Sequence, residues 1–240
     1  MDNIAYVAMS HQSALRKQMD VVAQNIANMN TTSFKSQSIV FSEYVHEANG
    51  TDEISFVQDV ASFPDLAAGT LRGTGNTLDL AIHNDGYFRI DTPEQVSYTR
   101  NGHFQLDAEG TLVTSEGHAV LSVDGQPLVT FPGDSQIEVA EDGTVSSESG
   151  AIGRIDVVDF ENPYKLEKKP ATLFTTNEEP IPAEDYIVRQ GMLEDSNVEP
   201  IIEMTRMIEL VRSYQSSKSL IDDHHELARR TISTLAKAPE

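Results

Sequence analysis

The 240-residue chain contains no cysteine and no tryptophan. Without cysteine it can form neither a disulfide framework nor a thiolate metal site. It is also poor in basic residues, because 17 lysines and arginines stand against 38 acidic residues and give a formal net charge of −21. Since such a chain has no basic excess to neutralise phosphates, its composition argues against nucleic-acid binding and against docking on anionic lipid.

Long apolar runs are missing as well. No stretch approaches the roughly 20 apolar residues that a membrane-spanning helix needs, so we expect no membrane insertion. No basic cluster precedes an apolar core at the N-terminus, so we expect no cleaved signal peptide. With 39% hydrophobic residues, the chain can still build a core in one or two domains.

A helical pattern fills the N-terminal stretch. Between residues 5 and 29, eight positions spaced alternately by three and four carry seven apolar residues, among them Leu15, Met19, Val22, Ile26 and Met29. This spacing predicts a helix over 3–29 with the narrow apolar seam of a coiled coil. Short polar residues that compete for the backbone follow Met29 and end the pattern.

A second helical pattern begins at Glu199 and meets no glycine or proline before Pro239. Its seam includes Met204, Met207, Val211, Tyr214 and Ile221 and is interrupted by Lys218 and His225. The two seams can bury each other or the helices of other copies. The alternative is that both helices lie at the periphery of one globular core.

The middle of the chain alternates short apolar runs with turn dipeptides such as Asp85-Gly86 and Asn101-Gly102. This texture predicts antiparallel strands in an all-β domain. The predicted fold class is therefore α+β, with terminal helices in a coiled-coil-like layer and a central antiparallel β domain. We expect four segments: an N-terminal assembly helix (1–35), a transitional segment with a turn at 49–52 (36–68), the β-rich domain (69–190) and a C-terminal assembly helix (191–240).

Three separated motifs carry a family resemblance. Residues 25–35 resemble the pattern N-x-A-N-x-x-T-x-G-F-K of the axial proteins of the bacterial flagellum, which form its rod and hook. The chain matches this pattern at Asn25, Ala27, Asn28, Thr31, Phe34 and Lys35, and we expect Asn25 and Asn28 to belong to the assembly interface as well. Ser33 replaces the usual glycine, and this replacement questions the turn geometry because serine adopts positive φ less readily.

The second motif lies in the β-rich domain and is similar to the family's sequence at Leu78, Asp79, Gly86, Arg100 and Gly102, with Asn84 where glycine is common. We expect Asp79 to cap a turn or to pair with Arg100 rather than to act in catalysis.

The third motif matches at Ser196 and Asn197, among others. Either residue is suited to cap the C-terminal helix, with Pro200 in its first turn.

The resemblance implies a structural subunit of the flagellar basal-body rod, with the terminal helices in the inner layer of a tube and the β domain outside. Its implied partners are other flagellar rod proteins, copies of itself and the flagellar type III export apparatus. The implied location is the periplasmic rod. The length and the opening Met1-Asp2-Asn3 favour a proximal rod type, and a distal rod type is the alternative. We further expect the termini to be largely disordered in the isolated monomer and to fold on assembly.

Other functions lack support in the sequence. The seven histidines show no metal-ligand spacing, the Gly73-Thr74-Gly75 run lacks the rest of a phosphate loop, and no Ser/His/Asp arrangement can be singled out. We therefore expect no catalytic residue, no metal and no cofactor. The alternative from another class is a secreted β-rich binding or enzymatic protein.

Overall fold

A computed structural model describes residues 2–48, 52–131, 133–134 and 136–235. It describes their side chains except in 2–6, 42–48, 52–61, 228, 232, 234 and 235. The turn expected at 49–52 falls mostly on residues outside this set. Within the described part, neither helix combines the length and apolar character that crossing a membrane requires.

The described residues form two α-helices, a short 3₁₀ helix (Pro163–Lys165) and 18 strands. The helices are α1 (Asp2–Ala27) and α2 (Pro200–Leu235). The strands are β1 (Gln37–Ala48), β2 (Asp52–Pro64), β3 (Leu71–Gly73), β4 (Leu80–His83), β5 (Tyr87–Asp91), β6 (Val96–Thr99), β7 (Phe104–Leu106), β8 (Leu112–Thr114), β9 (Ala119–Val120), β10 (Ile137–Val139), β11 (Thr144–Ser147), β12 (Gly150–Arg154), β13 (Val157–Asp159), β14 (Glu167–Lys168), β15 (Leu173–Thr175), β16 (Ile181–Pro182), β17 (Ile187–Gln190) and β18 (Met192–Glu194). The fold class is thus α+β, as predicted.

The contacts divide the chain into two compact units. The helical unit comprises Met1–Ala27, Gln37–Asp65 and Glu199–Glu240. In it, α1 packs against α2, and the antiparallel hairpin β1–β2 packs against α1. The segment expected to be transitional is therefore mostly a long hairpin. Along α1, Ala8, Leu15 and Val22 are buried at seven-residue spacing, and Met19 and Ile26 are half-buried beside them.

Helix α2 has a covered face and an exposed apolar face. The covered face repeats at spacings of three and four and consists of Glu203, Met207, Leu210, Tyr214, Ser217, Ile221 and His224. The exposed apolar face, which we call the outer stripe, consists of Ile201, Met204, Ile208 and Val211. At about 100° per residue the two faces lie roughly 120° apart. The predicted seam straddles them, because Met207, Tyr214 and Ile221 belong to the covered face and Met204 and Val211 to the outer stripe.

The β-rich unit comprises Asn28–Ser36 and Leu66–Val198. Its main sheet has the strand order β14-β15-β6-β5-β9-β8-β7, and β13 also pairs with β5 and β16. Smaller sheets are formed by β10-β11-β12, by β4 with β17 and by β3 with β18. The core includes Phe88, Ile90, Val120 and Ile155, each completely buried. This antiparallel organisation agrees with the predicted central β-rich region, and the short segment Asn28–Ser36 belongs to the same unit.

Candidate functional site

The first motif residue, Asn25, forms a buried polar node in the helical unit. Its Oδ1 accepts a hydrogen bond from the Gln37 amide at 2.9 Å, and its Nδ2 donates to the Gln37 carbonyl at 2.9 Å and to Glu203 Oε2 at 3.2 Å. Arg206 donates to Glu203 Oε1 at 2.7 Å. Asn25 and Glu203 are buried, so these bonds satisfy groups that water cannot reach. The Asn25 node therefore joins the end of α1, the start of β1 and the first turns of α2.

A second polar centre lies in the β-rich unit around Glu194. Its Oε1 accepts hydrogen bonds from Lys35 Nζ at 2.6 Å and from the Gly69 amide at 2.8 Å. Its Oε2 accepts one from Arg100 Nε at 2.8 Å. The side chains of Lys35 and Glu194 are 1% exposed and that of Arg100 is 4% exposed. We call Lys35, Arg100 and Glu194 the ionic junction.

Backbone carbonyls complete the surroundings of the two cations. Lys35 Nζ donates to the Ala67 carbonyl at 2.7 Å, and Arg100 donates to the carbonyls of Gly86 and Asn84 at 3.0 and 2.8 Å. Burial alone would raise the pKa of Glu194, but the charges of Arg100 and Lys35 outweigh it and hold that pKa below its ordinary value. The acid is therefore ionised at neutral pH and serves as the counter-ion of both cations.

The turn that follows α1 connects the first motif to the ionic junction. Thr31 accepts a backbone hydrogen bond from Phe34, and its hydroxyl donates to Asn28 Oδ1 at 3.1 Å. Ser33 adopts φ +54°, the left-handed conformation that glycine would adopt more readily. Its buried hydroxyl donates to the Arg100 carbonyl at 2.8 Å, and its amide donates to the Glu194 carbonyl. These bonds account for serine at a position where positive φ is required.

Phe34 lies beneath a lysine from another part of the unit. The Phe34 ring is buried, and Lys168 Nζ lies 3.7 Å from its centroid. The same ammonium group donates to the Lys35 carbonyl at 3.3 Å. Burial lowers the pKa of Lys168 to about 8. Lys168 thus holds the motif turn through a cation–π contact and a hydrogen bond.

The expected pairing of Asp79 with Arg100 is wrong. Asp79 accepts hydrogen bonds from Thr74 Oγ1 at 2.6 Å and from Asn76 Nδ2 at 3.1 Å, and its Oδ1 lies 2.7 Å from His103 Nδ1. Its role is therefore the other expected one, the closing of a local turn, because Glu194 rather than Asp79 is the partner of Arg100. The neighbouring Leu78 packs against the main core.

Two motif glycines lie where a side chain would collide with neighbouring atoms. A Cβ at Gly102 would stand 1.7 Å from the Leu80 carbonyl oxygen, and one at Gly86, where φ is +135°, would stand 2.8 Å from Val157 Cγ1. Gly102 is therefore closed to larger residues unless the backbone moves, whereas at Gly86 the positive φ and the Val157 side chain both disfavour a larger residue.

The expected N-cap role of Ser196 or Asn197 is also wrong. Helix α2 begins at Pro200, so its N-cap position is Glu199. Asn197 instead accepts a hydrogen bond from the Ser36 amide at 2.7 Å and donates to the Ala67 carbonyl at 3.1 Å. Ser196 Oγ accepts a bond from the Val198 amide. Pro200 does occupy the first helical turn, as expected.

The structure thus gathers motif residues from distant positions into two centres. The junction unites Lys35 and Arg100 with Glu194, and Asn197 binds the same segments around Ser36 and Ala67. Of the predicted assembly-interface residues, Leu15, Val22 and Asn25 are buried, Met19, Ile26, Asn28, Met29, Met207, Tyr214 and Ile221 are half-buried, and Met204 and Val211 are exposed.

Sequence reasoning did not assign a role to Glu194, Glu203 or Lys168. A signal for Glu194 was available, because an acid beside an apolar strand residue needs a cationic partner when it is buried.

Family models match most of the chain. The model described as "Flagella basal body rod protein" matches residues 6–35, "Flagellar hook protein FlgE/F/G D1 domain" matches 81–147, and "Flagellar basal body rod FlgEFG protein C-terminal" matches 189–234. These ranges contain Asn25, Glu203 and Arg206 of the Asn25 node and all three members of the ionic junction.

Full-length relatives agree with this assignment. The chain is 38% identical to the flagellar basal-body rod protein FlgF of Caulobacter vibrioides, with 99% of each chain covered. It is 32% identical to FlgF of Mesorhizobium japonicum, with 98% of each covered, and 31% identical to FlgG of Bacillus subtilis, covering 95% of this chain and 97% of that relative. The chain belongs to the flagellar basal-body rod protein family and is a structural, non-enzymatic rod subunit most like FlgF.

Proposed function

We propose that this rod subunit polymerises through its terminal helices, with the outer stripe of α2 as a contact to neighbouring subunits. The observation that carries the proposal is the exposure of four apolar side chains at helical spacing. Ile201 is 82% exposed, Ile208 54%, Met204 46% and Val211 37%. Scattered exposed apolar residues are ordinary, but an aligned row of them on one helix face is typical of a surface that a partner covers.

The covered face of α2 supports the same proposal. Within the helical unit α1 packs against α2, and the predicted seam residues Leu15 and Val22 are buried. Helix α2 therefore has one face engaged within its own chain and a second, apolar face available to another chain. Such two-faced helices can form a coiled-coil-like layer, in which each helix contacts its own partner and a neighbour.

Membership in the rod protein family supports an assembly in the basal-body rod. We propose that the partners are other rod proteins and copies of this chain, that the subunit is of the proximal rod type, and that the helices form the inner layer of a tube with the β-rich unit outside. Delivery would use the flagellar type III export apparatus without cleavage of a signal peptide. The charge of −21 would keep unassembled subunits apart.

Assembly would also complete the order of α2. From residue 222 onward, His224 is the one half-buried side chain among those described in α2, so few contacts stabilise this end within the chain. Burial of apolar area contributes roughly 25 cal/mol per Å², and neighbouring helices would supply the area that the isolated chain lacks. The ends of the helices should therefore gain order when subunits join.

The test is deletion of the gene followed by complementation and electron microscopy of purified basal bodies. The full chain should restore complete rods and swimming, whereas Ile208→Asp should yield truncated or missing rods with a folded β-rich unit. Ser216→Asp, on an exposed part of the same helix outside the stripe, is the matched control. Complete rods and normal swimming with Ile208→Asp would contradict the proposed contact, and complete rods in the deletion strain itself would contradict the proposed function.

A further inference from the structure

We propose that Glu194 is a folding checkpoint: Lys35 and Arg100 keep the β-rich unit from completing its fold until the segment that carries Glu194 has docked. The inference rests on the ionic junction and on strand pairing within the β-rich unit. It does not depend on subunit assembly and would hold for a monomer.

The strand order makes the C-terminal segment a late but necessary part of the unit. Strand β17 pairs with β4, and β18 pairs with β3, each as a separate two-stranded sheet. Within the described residues, β3 and β4 pair with no other strand. The backbone groups along these two strands therefore lack their ladder partners until residues 187–194 arrive.

The charges of the junction add an electrostatic requirement. Lys35 comes from the N-terminal motif, Arg100 directly follows β6 and Glu194 ends β18, and their side chains are 1%, 4% and 1% exposed. Glu194 contacts both cations through separate oxygens, at 2.6 and 2.8 Å. Transferring an ammonium and a guanidinium group from water into this interior without an anion is strongly unfavourable. A chain without a docked Glu194 should therefore leave both cations in water.

If the two cations stayed in water, a large part of the β-rich unit could not finish folding. In the folded state Arg100 donates to the carbonyls of Gly86 and Asn84, and Lys35 donates to that of Ala67. The loops around residues 67–69 and 82–86 are therefore shaped around the two cations. When the cations stay outside, these loops and the motif turn at Ser33 cannot take their final positions. The β-rich unit would thus complete its fold in one step, once the segments that carry Lys35 and Glu194 are both present.

A consequence follows for any process in which the N-terminus emerges first. Glu194 lies six residues before α2 begins at Pro200. The β-rich unit would remain incompletely folded until almost the whole of it has emerged, and its final closure would coincide with the appearance of the C-terminal helix. A partial β domain would not fold prematurely, because the charges of Lys35 and Arg100 cannot be buried before Glu194 docks. No separate chaperone would be needed for this.

Pulsed hydrogen exchange with mass spectrometry during refolding of the full-length chain tests this order directly. In the wild type, the amides of β5 and β6 should gain full protection in the same kinetic phase as those of β17 and β18. In Lys35→Met/Arg100→Met/Glu194→Met, which removes all three charges, β5 and β6 should gain protection at least tenfold earlier than β17 and β18. Glu194→Gln should slow protection of the whole unit at least tenfold, and Glu141→Gln, an exposed acid paired with Arg189, should leave it unchanged.

The wild-type chain alone can overturn the proposal. Full protection of β5 and β6 in a phase that precedes protection of β17 and β18 would mean that the unit closes without Glu194. The proposal would equally fail if Glu194→Gln refolded at the wild-type rate. If the triple variant does not fold, the comparison of the wild type with Glu194→Gln and Glu141→Gln decides the question.

Discussion

Asn25 and Glu203 lie 178 positions apart in the sequence, and the amide nitrogen of the first donates to the carboxylate of the second at 3.2 Å. This bond fixes the start of α2 to the end of α1. The bond also explains why the covered face of α2 begins with an acid. Glu203 can point inward because its carboxylate accepts hydrogen bonds from Asn25 and Arg206. The helical unit is thus set in register by a polar contact as well as by apolar packing.

Asn25→Ala should weaken the helical unit. The change removes two bonds to Gln37 and one to Glu203, and it leaves buried polar groups unsatisfied. We expect a loss of about 1–3 kcal/mol in the free energy of unfolding, measured by urea titration of helical circular dichroism. Asn30→Ala, at an exposed position near the same motif, should stay within about 0.5 kcal/mol of the wild type. Equal values for the two variants would show that the node adds no stability.

Glu194→Gln should be among the most destabilising changes in the β-rich unit. Removing one partner of a buried ion pair costs about 3–5 kcal/mol, because an uncompensated charge stays buried. Glu141→Gln is the control, since its bond to Arg189 is solvent-exposed and should contribute about 0–1 kcal/mol. Thermal unfolding followed by calorimetry measures both. A loss for Glu194→Gln that does not exceed the control would refute the role of the junction.

Ser33 gives a prediction in which glycine is tolerated better than alanine. Alanine at φ +54° keeps the strain of the left-handed conformation and loses the hydrogen bond to the Arg100 carbonyl. We expect Ser33→Ala to cost about 1–3 kcal/mol. Ser33→Gly also loses the bond but relieves roughly 1–2 kcal/mol of left-handed strain, so it should lie close to the wild type. Chemical denaturation of both variants checks the order, and the reverse order would show that strain is unimportant at this turn.

These residues also indicate what the sequence could and could not predict. The strands at Tyr87–Asp91 and Val96–Thr99 were predictable because turn dipeptides and β-forming residues are local signals. The need for positive φ at Ser33 was visible from the motif. The partner of Arg100 was not, because local patterns cannot choose between Asp79, 21 positions upstream in the sequence, and Glu194, 94 positions downstream.

The seam of α2 was only half predictable for a related reason. Counting apolar residues led to Met204 and Val211, which are exposed, whereas Glu203, Ser217 and His224 occupy the covered face. A polar residue that is buried because it has a partner far away in the sequence cannot be found by counting apolar residues. The residues shared by both patterns, Met207, Tyr214 and Ile221, are those for which periodicity and burial agree.

The pKa of Lys168 predicts a pH dependence of stability. In the unfolded chain this lysine should stay protonated up to its ordinary value of 10.5, whereas in the folded chain it loses its proton around pH 8. Between these values the unfolded state binds more protons, so the free energy of unfolding should rise with pH. Urea titrations at pH 7.5, 9 and 10 should therefore show the wild type gaining stability relative to Lys168→Met. Lys169→Met, at an exposed neighbour, is the control, and a difference from Lys168→Met that stays constant with pH would contradict the prediction.

Two aspartate substitutions should separate folding from assembly. Leu15 is 6% exposed, so Leu15→Asp buries a charge in α1 and should reduce the helicity of the isolated subunit and abolish motility. Val211 is 37% exposed on the outer stripe, so Val211→Asp should leave that helicity unchanged and still abolish motility. Both variants should keep a folded β-rich unit. Circular dichroism and soft-agar swimming measure the two effects, and a motile strain with either change would contradict the helix-mediated assembly.

Circular dichroism of the dilute wild-type subunit tests whether the helices order on assembly. We expect less helix than the 26 residues of α1 and the 36 residues of α2 would give, because the end of α2 lacks neighbours in the isolated chain. Helicity should rise when subunits associate. Full helicity of both elements in a dilute monomer would contradict this expectation.

Cysteine crosslinking in purified basal bodies tests the central claim most directly. Because the chain has no cysteine, Ile208→Cys places a single thiol on the outer stripe, and Ser115→Cys places one on an exposed position of the β-rich unit as a control. With a photocrosslinker attached to the thiol through a maleimide, whose photoactivated group inserts into any adjacent chain, we predict that Ile208→Cys joins the chain to another copy or to another rod protein. Rods that assemble normally with Ile208→Cys and yield only uncrosslinked subunits would show that the outer stripe does not face a neighbour.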